Sequence, residues 1–386
     1  MHTLETFHIT RELFPDSGLR FEQSHATEQI LNTLEQSIAG KRTLLPVSAE
    51  NETVLRTSQR AGDEIDPSIA LVVATSGSTG TPKGAMLTPA NLVSSADATH
   101  QFLGGEGQWL LAMPPNHIAG LQVLLRSMIA GFTPEVIDVR HGFNIHIFAE
   151  AAGNLEGRRY TSLTPMQLLK AMDTIEGIDA LRSFNAILVG GAPLLFDDQR
   201  AAQELGITVV STYGSSETSG GCVYNGKPIP GAKVRLQGER IVLGGPMVAA
   251  GYRNLPGHEA FAQPGWFASS DTGVVENGVL RVTGRMDTII DSGGLKIHPE
   301  VLEQRLANVP GVRAVCIVGV PDRRLGQAIA CAYEGDATPE NLIEALDDLP
   351  RWQLPRQIRQ LEALPLIGVG KVDRQTVQGL FASQAH

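Results

Sequence analysis

The sequence predicts an α/β protein. Its large N-terminal domain has mostly parallel sheets flanked by helices plus a small β-subdomain, and a small mobile α+β domain follows at the C-terminus. Short apolar runs alternate with helical stretches between residues 71 and 211, a pattern typical of a parallel sheet covered by helices. From Gly226 the chain changes to short alternating runs rich in glycine. A chain of 386 residues is also too long for one ordinary core.

The strands of the large domain are predicted from its short, β-branched apolar runs. They fall at residues 71–73, 108–113, 134–138, 186–189 and 207–211. Helices are predicted at residues 28–39, 89–102, 120–130, 165–172 and 196–205. The rest of residues 1–70 is polar and mixed, and no strand is predicted there.

The β-subdomain is predicted from alternating runs at residues 232–236, 240–243 and 279–283. After Asp287 the pattern returns to strands and helices, with helices at 300–307 and 339–347 and strands at 314–318 and 328–333. We therefore expect one domain over residues 1–286, shortened at its start, and a second over residues 287–386, with the hinge near Asp287.

Charge and composition exclude several classes of partner. The net charge is −10, which argues against a general nucleic-acid or anionic-membrane surface. The longest apolar stretch, residues 118–132, is too short to span a bilayer, so no stable membrane insertion is expected. No signal peptide is apparent, and the three cysteines have no metal-site spacing, so a reducing cytoplasm is the simplest setting.

The most informative stretch is Ala74-Thr-Ser-Gly-Ser-Thr-Gly-Thr-Pro-Lys-Gly84, which directly follows an apolar run. Glycines let the main chain approach a ligand, and backbone N–H groups, hydroxyls and Lys83 can then converge on an anion. Pro82 and Gly84 flank the lysine, so this is not a GxxxxGK[ST] loop. The phosphate and magnesium contacts that are typical of that motif are therefore not assigned to this stretch. The alternative is a flexible Ser/Gly linker.

This stretch resembles the signature of the acyl-adenylate-forming superfamily, which includes acyl-CoA synthetases, peptide-synthetase adenylation domains and luciferases. Further stretches match in the same order across residues 70–375. They are Tyr213-Gly-Ser-Ser-Glu-Thr218, Ser270-Asp-Thr-Gly273, Gly284-Arg-Met-Asp287 with Gly293-Gly-Leu-Lys296, and Gly370-Lys371. Related enzymes usually carry a longer segment before the glycine-rich loop.

The resemblance implies a two-step reaction with ATP, Mg²⁺ and CoA. A small-molecule carboxylic acid attacks the α-phosphate of ATP to give an acyl-AMP and pyrophosphate, and a thiol then displaces AMP. Because both reactants of the first step are anions, that step depends on charge neutralisation more than on acid–base chemistry.

By the same resemblance, Lys371 is the catalytic lysine and Glu217 is the magnesium ligand. The alternative for Lys371 is a solvated surface lysine. Asp287 resembles a hinge residue, although the family often has a second acidic residue where this chain has Thr288. Gly293, Gly294 and Lys296 would face the thiol's entry channel. The nucleotide-binding positions implied are Thr75, Ser76, Gly77, Ser78, Thr79, Gly80, Lys83, Gly190, Gly191, Ala192, Tyr213, Gly214, Ser216, Asp271 and Arg285.

By the same resemblance His117 contacts the acyl end of the substrate, and the alternative is a helix-capping or core histidine. Arg126, Ser215, Gly220 and Gly221 are also predicted to take part in acid recognition. A buried arginine is costly unless it meets an anion, so a buried Arg126 would favour an acid with a second carboxylate. The alternative is a surface arginine whose apolar stem alone is covered.

Together these residues resemble the o-succinylbenzoate–CoA ligases of menaquinone biosynthesis within the superfamily. Another aryl- or acyl-CoA ligase and a stand-alone adenylation enzyme serving a carrier protein remain as alternatives. A non-catalytic nucleotide-binding relative is disfavoured by Lys371 and Glu217. The sequence leaves a homo-oligomer open.

Overall fold

The structure is a computed structural model that describes residues 2–14, 20–75, 81–367 and 371–382. Its contacts divide the chain into a first unit, Met1–Arg235 with Val242–Ser269, and a second unit, Leu236–Ile241 with Ser270–His386. The boundary predicted near Asp287 is a hinge, that is, a point about which the second domain would rotate. The contacts within each unit do not identify such a point. The domains 1–286 and 287–386 therefore stay predictions.

One sheet of the first unit contains both strands that border the glycine-rich loop. Its middle strands His2–Phe7, Thr43–Pro46 and Leu71–Thr75 are parallel, and Lys83–Leu87 pairs antiparallel with Leu71–Thr75. Buried aliphatic side chains from Leu4 to Val72 form the core beneath it. In the described residues the strand order is Gly251–Tyr252, Lys83–Leu87, Leu71–Thr75, Thr43–Pro46, His2–Phe7 and Glu64–Ile65.

A larger sheet of the first unit carries the other predicted strands. Its central strands are parallel, while Gly220–Tyr224 pairs antiparallel with Val209–Ser215. In the described residues its order is Lys227–Pro228, Gly220–Tyr224, Val209–Ser215, Ala186–Val189, Arg159–Leu163, Gln108–Leu111 and Glu135–Val136. Because parallel strands end at one edge, the turn after Val189 lies beside Thr212 of the neighbouring strand.

The helices of the first unit have recognisable starts. Thr88 and Thr164 each cap a helix with reciprocal side-chain and backbone hydrogen bonds to Asn91 and Gln167, and a proline follows each threonine. The α-helices are Ile9–Leu13, Arg20–Ile38, Glu52–Ser58, Pro89–Leu103, Ile118–Ile129, Ile145–Gly153, Pro165–Met172, Ile175–Arg182 and Phe196–Glu204, and the 3₁₀ turns are Ser216–Thr218 and Glu259–Phe261.

The second unit contains a largely antiparallel sheet with helices on both faces. The long strands Val312–Asp322 and Gly326–Gly335 form its centre, and Gln357–Leu361 pairs parallel with the second of them. Helices Pro299–Leu306 and Pro339–Glu344 cover one face through Leu302 and Leu342, and Arg374–Ala382 covers the other through Val377. Further elements are strands Val279–Arg285, Ile290–Ser292, Leu295–Ile297, Leu366–Ile367 and Lys371–Val372, and the 3₁₀ turn Arg351–Gln353.

Three strands carry residues of both units: Lys233–Gln237, Arg240–Gly244 and Trp266–Glu276. The α/β fold class with a large N-terminal and a small C-terminal part is confirmed. The strands His2–Phe7 and Thr43–Pro46 were missed in the polar first 70 residues, and Arg159–Leu163 and Gly220–Tyr224 were missed as well. No described helix is long and apolar enough to cross a membrane.

Candidate active site

The two ends of the glycine-rich loop are adjacent in the first unit. Thr75 is the last residue of Leu71–Thr75 and pairs in register with Lys83, the first residue of Lys83–Leu87. The loop therefore leaves and re-enters the sheet at one point. The predicted loop residues between these ends lie outside the described residues: Ser76, Gly77, Ser78, Thr79 and Gly80.

Two glycines at the carboxyl edge of the larger sheet leave no space for a side chain. A Cβ on Gly190 would lie 2.3 Å from Thr212 Oγ1, and a Cβ on Gly214 would lie 2.2 Å from the carbonyl oxygen of Gly220. Gly191 has a φ of +83°, while Ala192 is exposed. These glycines thus have packing and backbone roles in addition to the nucleotide contacts predicted for them.

The Tyr-Gly-Ser-Ser-Glu stretch ends the strand Val209–Ser215 and begins the 3₁₀ turn Ser216–Thr218. Thr218 Oγ1 accepts a hydrogen bond from the Ser215 amide at 2.9 Å, which holds the turn. Tyr213 is half-buried, and its hydroxyl donates to Ser269 Oγ at 3.5 Å. The Oγ of Ser215 is buried without a hydrogen-bond partner among the described residues.

The carboxylate of Glu217 is almost fully buried, with 6% of the residue exposed. Its Oε1 accepts a hydrogen bond from the Tyr252 hydroxyl at 2.6 Å. Burial and the neighbouring carboxylate raise the pKa of Tyr252 above its ordinary value, so the phenol keeps its proton and acts as the donor. Sequence reasoning missed Tyr252, because no local pattern signals a contact 35 residues away.

The chemistry around Glu217 fits a magnesium ion bound jointly with ATP. Among the described residues, no group of three or more His, Cys, Asp or Glu side chains could hold a metal ion by itself. Mg²⁺ usually keeps several waters and is bound by one or two carboxylates together with substrate phosphates. One hydrogen-bonded carboxylate close to the strand that leaves the glycine-rich loop is the kind of donor set that this ion uses together with a substrate phosphate.

The predicted acyl side of the site lies on the helix Ile118–Ile129, for which His117 is the N-cap residue. His117 is half-buried, and burial lowers its pKa. Gln122, one turn further, donates from Nε2 to the Ser219 carbonyl oxygen at 2.7 Å. A Cβ on Gly220 would lie 3.4 Å from the Gln122 side chain. The helix thus packs against Ser219 and Gly220, and Gly220 is one of the two glycines predicted to take part in acid recognition.

Arg126 is buried, with 3% of the residue exposed, which excludes the alternative of a surface arginine. Its guanidinium carbon lies 5.1 Å from the centroid of the Trp109 ring. Its Nη2 donates to the Tyr224 hydroxyl at 3.3 Å, and its Nε has no hydrogen-bond partner in the described part of the chain. Burial lowers the pKa of Arg126, as expected for a desolvated cation.

The surroundings of Arg126 contain polar groups but no carboxylate partner. Thr99 Oγ1 lies 2.9 Å from the Tyr224 hydroxyl, and Trp109 Nε1 donates to His100 Nε2 at 3.3 Å. Burial, and then the charge of Arg126, lower the pKa of His100 to about 4. No described Asp or Glu forms an ion pair with Arg126. The guanidinium is therefore a buried cation whose charge is not neutralised by any carboxylate in the described part of the chain.

In the second unit, the predicted ribose and hinge residues are in contact. Asp271 pairs in register with Arg285 across two antiparallel strands, and Arg285 Nη1 lies 3.2 Å from Asp271 Oδ1. Arg285 also donates to both carboxylate oxygens of Asp287, at 2.8 and 2.7 Å. The hydrogen bond to Asp287 is the main reason why the pKa of Arg285 is raised.

The predicted thiol-channel residues form a separate turn of the second unit. Gly293 and Gly294 have φ values of +66° and +82°, and they connect Ile290–Ser292 to the strand containing the exposed Lys296. Lys371 begins the strand Lys371–Val372 and pairs with Ile367. The side chain of Lys371 lies outside what the structure describes.

The segment after Lys371 is anchored by a side chain that the sequence did not single out. Arg374 lies 2.6 Å from each oxygen of Glu303, and its Nη1 also donates to the Ile317 carbonyl oxygen at 2.7 Å. The half-buried position and this bidentate pairing are those of a structural ion pair. Arg374 thus fixes the start of the helix Arg374–Ala382 to the core of its unit.

Comparison with known proteins gives matches along nearly the whole chain. The family described as AMP-binding enzyme matches residues 11–252, and the AMP-binding enzyme C-terminal domain matches residues 301–371. A "Probable 2-succinylbenzoate--CoA ligase" of Mycobacterium tuberculosis is 45% identical over 380 residues, covering 95% of this chain and 99% of the relative. The 2-succinylbenzoate--CoA ligase of Escherichia coli is 31% identical over 318 residues, covering 79% of this chain and 67% of the relative.

A solved structure has the same fold. It is the o-succinylbenzoate CoA synthetase of Bacillus subtilis in complex with the acyl-adenylate intermediate OSB-AMP. The TM-score is 0.73 at 25% sequence identity, with 92% of this chain and 81% of that chain covered.

Proposed function

Because this chain belongs to the family of AMP-binding enzymes, we propose that it is a magnesium- and ATP-dependent acid–CoA ligase that acts on 2-succinylbenzoate. The reaction converts 2-succinylbenzoate, ATP and CoA into 2-succinylbenzoyl-CoA, AMP and pyrophosphate. It places the enzyme in menaquinone biosynthesis. The alternatives are another aryl- or acyl-CoA ligase and an adenylation enzyme that serves a carrier protein.

The observation that carries the choice of acid is the buried, uncompensated guanidinium of Arg126. An isolated buried cation is unfavourable, and an anionic ligand group removes the penalty. 2-Succinylbenzoate has two carboxylates, one to be activated and one to be recognised. The relative that is 45% identical over nearly its whole length carries the same activity in its name, which supports this acid over other aryl acids.

The residues of the first unit account for nucleotide and metal binding in this proposal. Thr75, Lys83 and the glycine-rich loop between them hold the phosphates. Tyr213, Gly190, Gly191 and Ala192 line the adenine pocket, Ser216 contacts the α-phosphate, and Glu217 ligates Mg²⁺. When bound, the magnesium ion neutralises charge on the phosphates and so favours attack by a second anion.

The residues of the second unit account for the remaining roles. Asp271, oriented by Arg285, accepts hydrogen bonds from the ribose hydroxyls. Lys371 bridges the substrate carboxylate and the α-phosphate, where its charge stabilises the transition state of adenylation. Asp287 is the pivot of the domain rotation, after which Gly293, Gly294 and Lys296 face the incoming thiol.

The cytoplasm remains the proposed location. Cys222, Cys316 and Cys331 are all free and buried, as thiols are in proteins of a reducing compartment.

The proposal is tested by two assays on the purified chain. Pyrophosphate release is measured with ATP, Mg²⁺ and a panel of acids: 2-succinylbenzoate, benzoate, other aryl monoacids and fatty acids. Thioester formation is then measured with CoA and with a phosphopantetheinylated carrier protein. We expect 2-succinylbenzoate and CoA to be preferred. Preference for a monoacid, or for the carrier protein over CoA, would replace the proposal with one of the alternatives.

A further inference from the structure

Tyr252 lies between two parts of the nucleotide site that come from different segments of the chain. Its hydroxyl donates to Glu217 Oε1 at 2.6 Å, and the Nζ of Lys83 lies 5.2 Å from the centroid of its ring. The residue is buried, with 4% exposed. One side chain thus contacts the carboxylate proposed for the metal and the lysine proposed for the phosphates.

The backbone around Tyr252 is tied to the same two segments. The strand Gly251–Tyr252 pairs antiparallel with Lys83–Leu87, with Tyr252 opposite Ala85. Ala249 donates its amide to the Glu217 carbonyl oxygen at 2.8 Å. These main-chain bonds leave the phenol little freedom, because both ends of its short segment are fixed.

The exit from the glycine-rich loop is held by the residues that follow Tyr252. Asn254 accepts from the Gly84 amide at 3.1 Å and donates to the Pro82 carbonyl oxygen at 2.9 Å. His258 Nε2 lies 3.4 Å from Lys83 Nζ, and its ring meets that of Tyr252 edge-to-face. Asn254 and His258 therefore both help to hold Lys83 in place.

We propose that Tyr252 is a positioning residue for adenylation, which orients Glu217 towards the metal and holds Lys83 at the phosphate loop. The inference rests on the roles proposed above for Glu217 and Lys83. A carboxylate on a short turn can rotate about its side-chain bonds, and a hydrogen bond to one oxygen fixes the direction in which the other can coordinate. Groups that orient a metal ligand in this way affect metal affinity strongly. The face of the ring attracts the lysine ammonium electrostatically.

The test separates the hydroxyl from the ring with two variants. Tyr252→Phe removes only the hydrogen bond to Glu217, and Tyr252→Leu also removes the aromatic face. The primary measurement is the affinity of the enzyme–ATP complex for Mn²⁺, read by electron paramagnetic resonance without any acid substrate. We expect Tyr252→Phe to weaken Mn²⁺ binding by about tenfold to a hundredfold, the usual effect of removing a group that orients a metal ligand.

Lys83 positioning is measured by ATP binding in the presence of a chelator, so that no metal contributes. Tyr252→Phe should bind metal-free ATP as the parent does. Tyr252→Leu should bind it about two- to thirtyfold more weakly, the range of a cation–π contact. Equal ATP affinities for the two variants would mean that the aromatic ring of Tyr252 does not position Lys83.

Tyr160→Phe is the matched control. Its side chain is also buried, and its hydroxyl donates to the Gly105 carbonyl oxygen at 3.0 Å, near the amino-terminal edge of the larger sheet. The midpoint temperature of thermal unfolding should fall by a similar amount in both tyrosine-to-phenylalanine variants. Only Tyr252→Phe should lose Mn²⁺ affinity. If Tyr252→Phe keeps the parental Mn²⁺ affinity, Tyr252 is a packing residue and the inference is wrong.

A second pair of variants locates the effect at Glu217. In a Glu217→Gln background, Tyr252→Phe should cause little further loss of Mn²⁺ affinity, because the two side chains act as one unit. Additive losses would mean that Tyr252 acts elsewhere. Since the binding assays contain no acid, they can succeed even if 2-succinylbenzoate is not the substrate, so the two failures are distinguishable.

Discussion

The guanidinium of Arg126 lies 5.1 Å from the centroid of the Trp109 ring, and no carboxylate of the described chain neutralises it. The aromatic face and the Tyr224 hydroxyl stabilise the cation in part. They leave its net charge available to a ligand, and this is the basis of the first prediction.

Arg126→Leu should weaken use of 2-succinylbenzoate by about 2–5 kcal/mol, the usual effect of removing one partner from a buried charge pair. ATP binding should be almost unchanged. The measurement is kcat/KM for pyrophosphate release, with ATP affinity determined separately. A monoacid analogue should be a poor substrate of the parent and little affected by the substitution. Equal use of 2-succinylbenzoate by parent and variant would give Arg126 a structural role only.

Lys371→Ala should lower the rate of acyl-AMP formation by about a hundredfold or more, since a contact made mainly in the transition state acts on kcat. ATP should still bind. Synthetic acyl-AMP supplied to the variant should still be converted to the thioester, which also shows that the variant is folded. A normal rate of adenylation in the variant would mean that Lys371 has no catalytic role and is a solvated surface lysine.

Asp287→Pro should hinder the proposed rotation because proline fixes φ. Rapid-quench measurement of each half-reaction should then show that thioesterification is reduced more than adenylation. Asp287→Ala is the control, since it also loses the two hydrogen bonds from Arg285 but keeps the backbone free. If the alanine and proline variants lose both half-reactions equally, the pivot lies elsewhere.

The stability of the protein should fall as the pH decreases from about 6.5 to about 4, because His100 stays neutral in the folded state. Its folded pKa of about 4 lies below the ordinary value of 6.5. The unfolded chain therefore binds a proton at a pH where the native state does not, and acid favours unfolding. Chemical denaturation of the parent and of His100→Gln across this range measures the difference. Identical pH profiles would mean that His100 titrates normally.

Sequence reasoning was most successful where a short motif coincides with one element. The strand before the glycine-rich loop was predicted, because its own short apolar run specifies it. The first strands were missed, since the mixed residues of His2–Phe7 give only a weak alternating signal. The burial of Arg126 could not be predicted either: the sequence left two alternatives, and only the packing around Trp109 distinguishes them.

The contacts of Tyr252 and Arg374 could not be predicted from the sequence for a different reason. Each side chain meets a partner far along the chain, Glu217 in one case and Glu303 in the other. Local patterns carry no information about such pairs. They depend on the register of strands and on the placement of helices, which only the folded chain defines.

The tight packing around Gly190 and Gly214 affects how sequence variation at this site should be interpreted. Any side chain at Gly190 would meet Thr212, and any at Gly214 would meet the backbone of Gly220. A saturation-mutagenesis screen would score both positions as intolerant even if no nucleotide were ever bound. Intolerance there would therefore not show that either residue contacts the nucleotide. Ala192 is exposed at the end of the same turn, so it is the position whose tolerance to substitution reports on ligand contact.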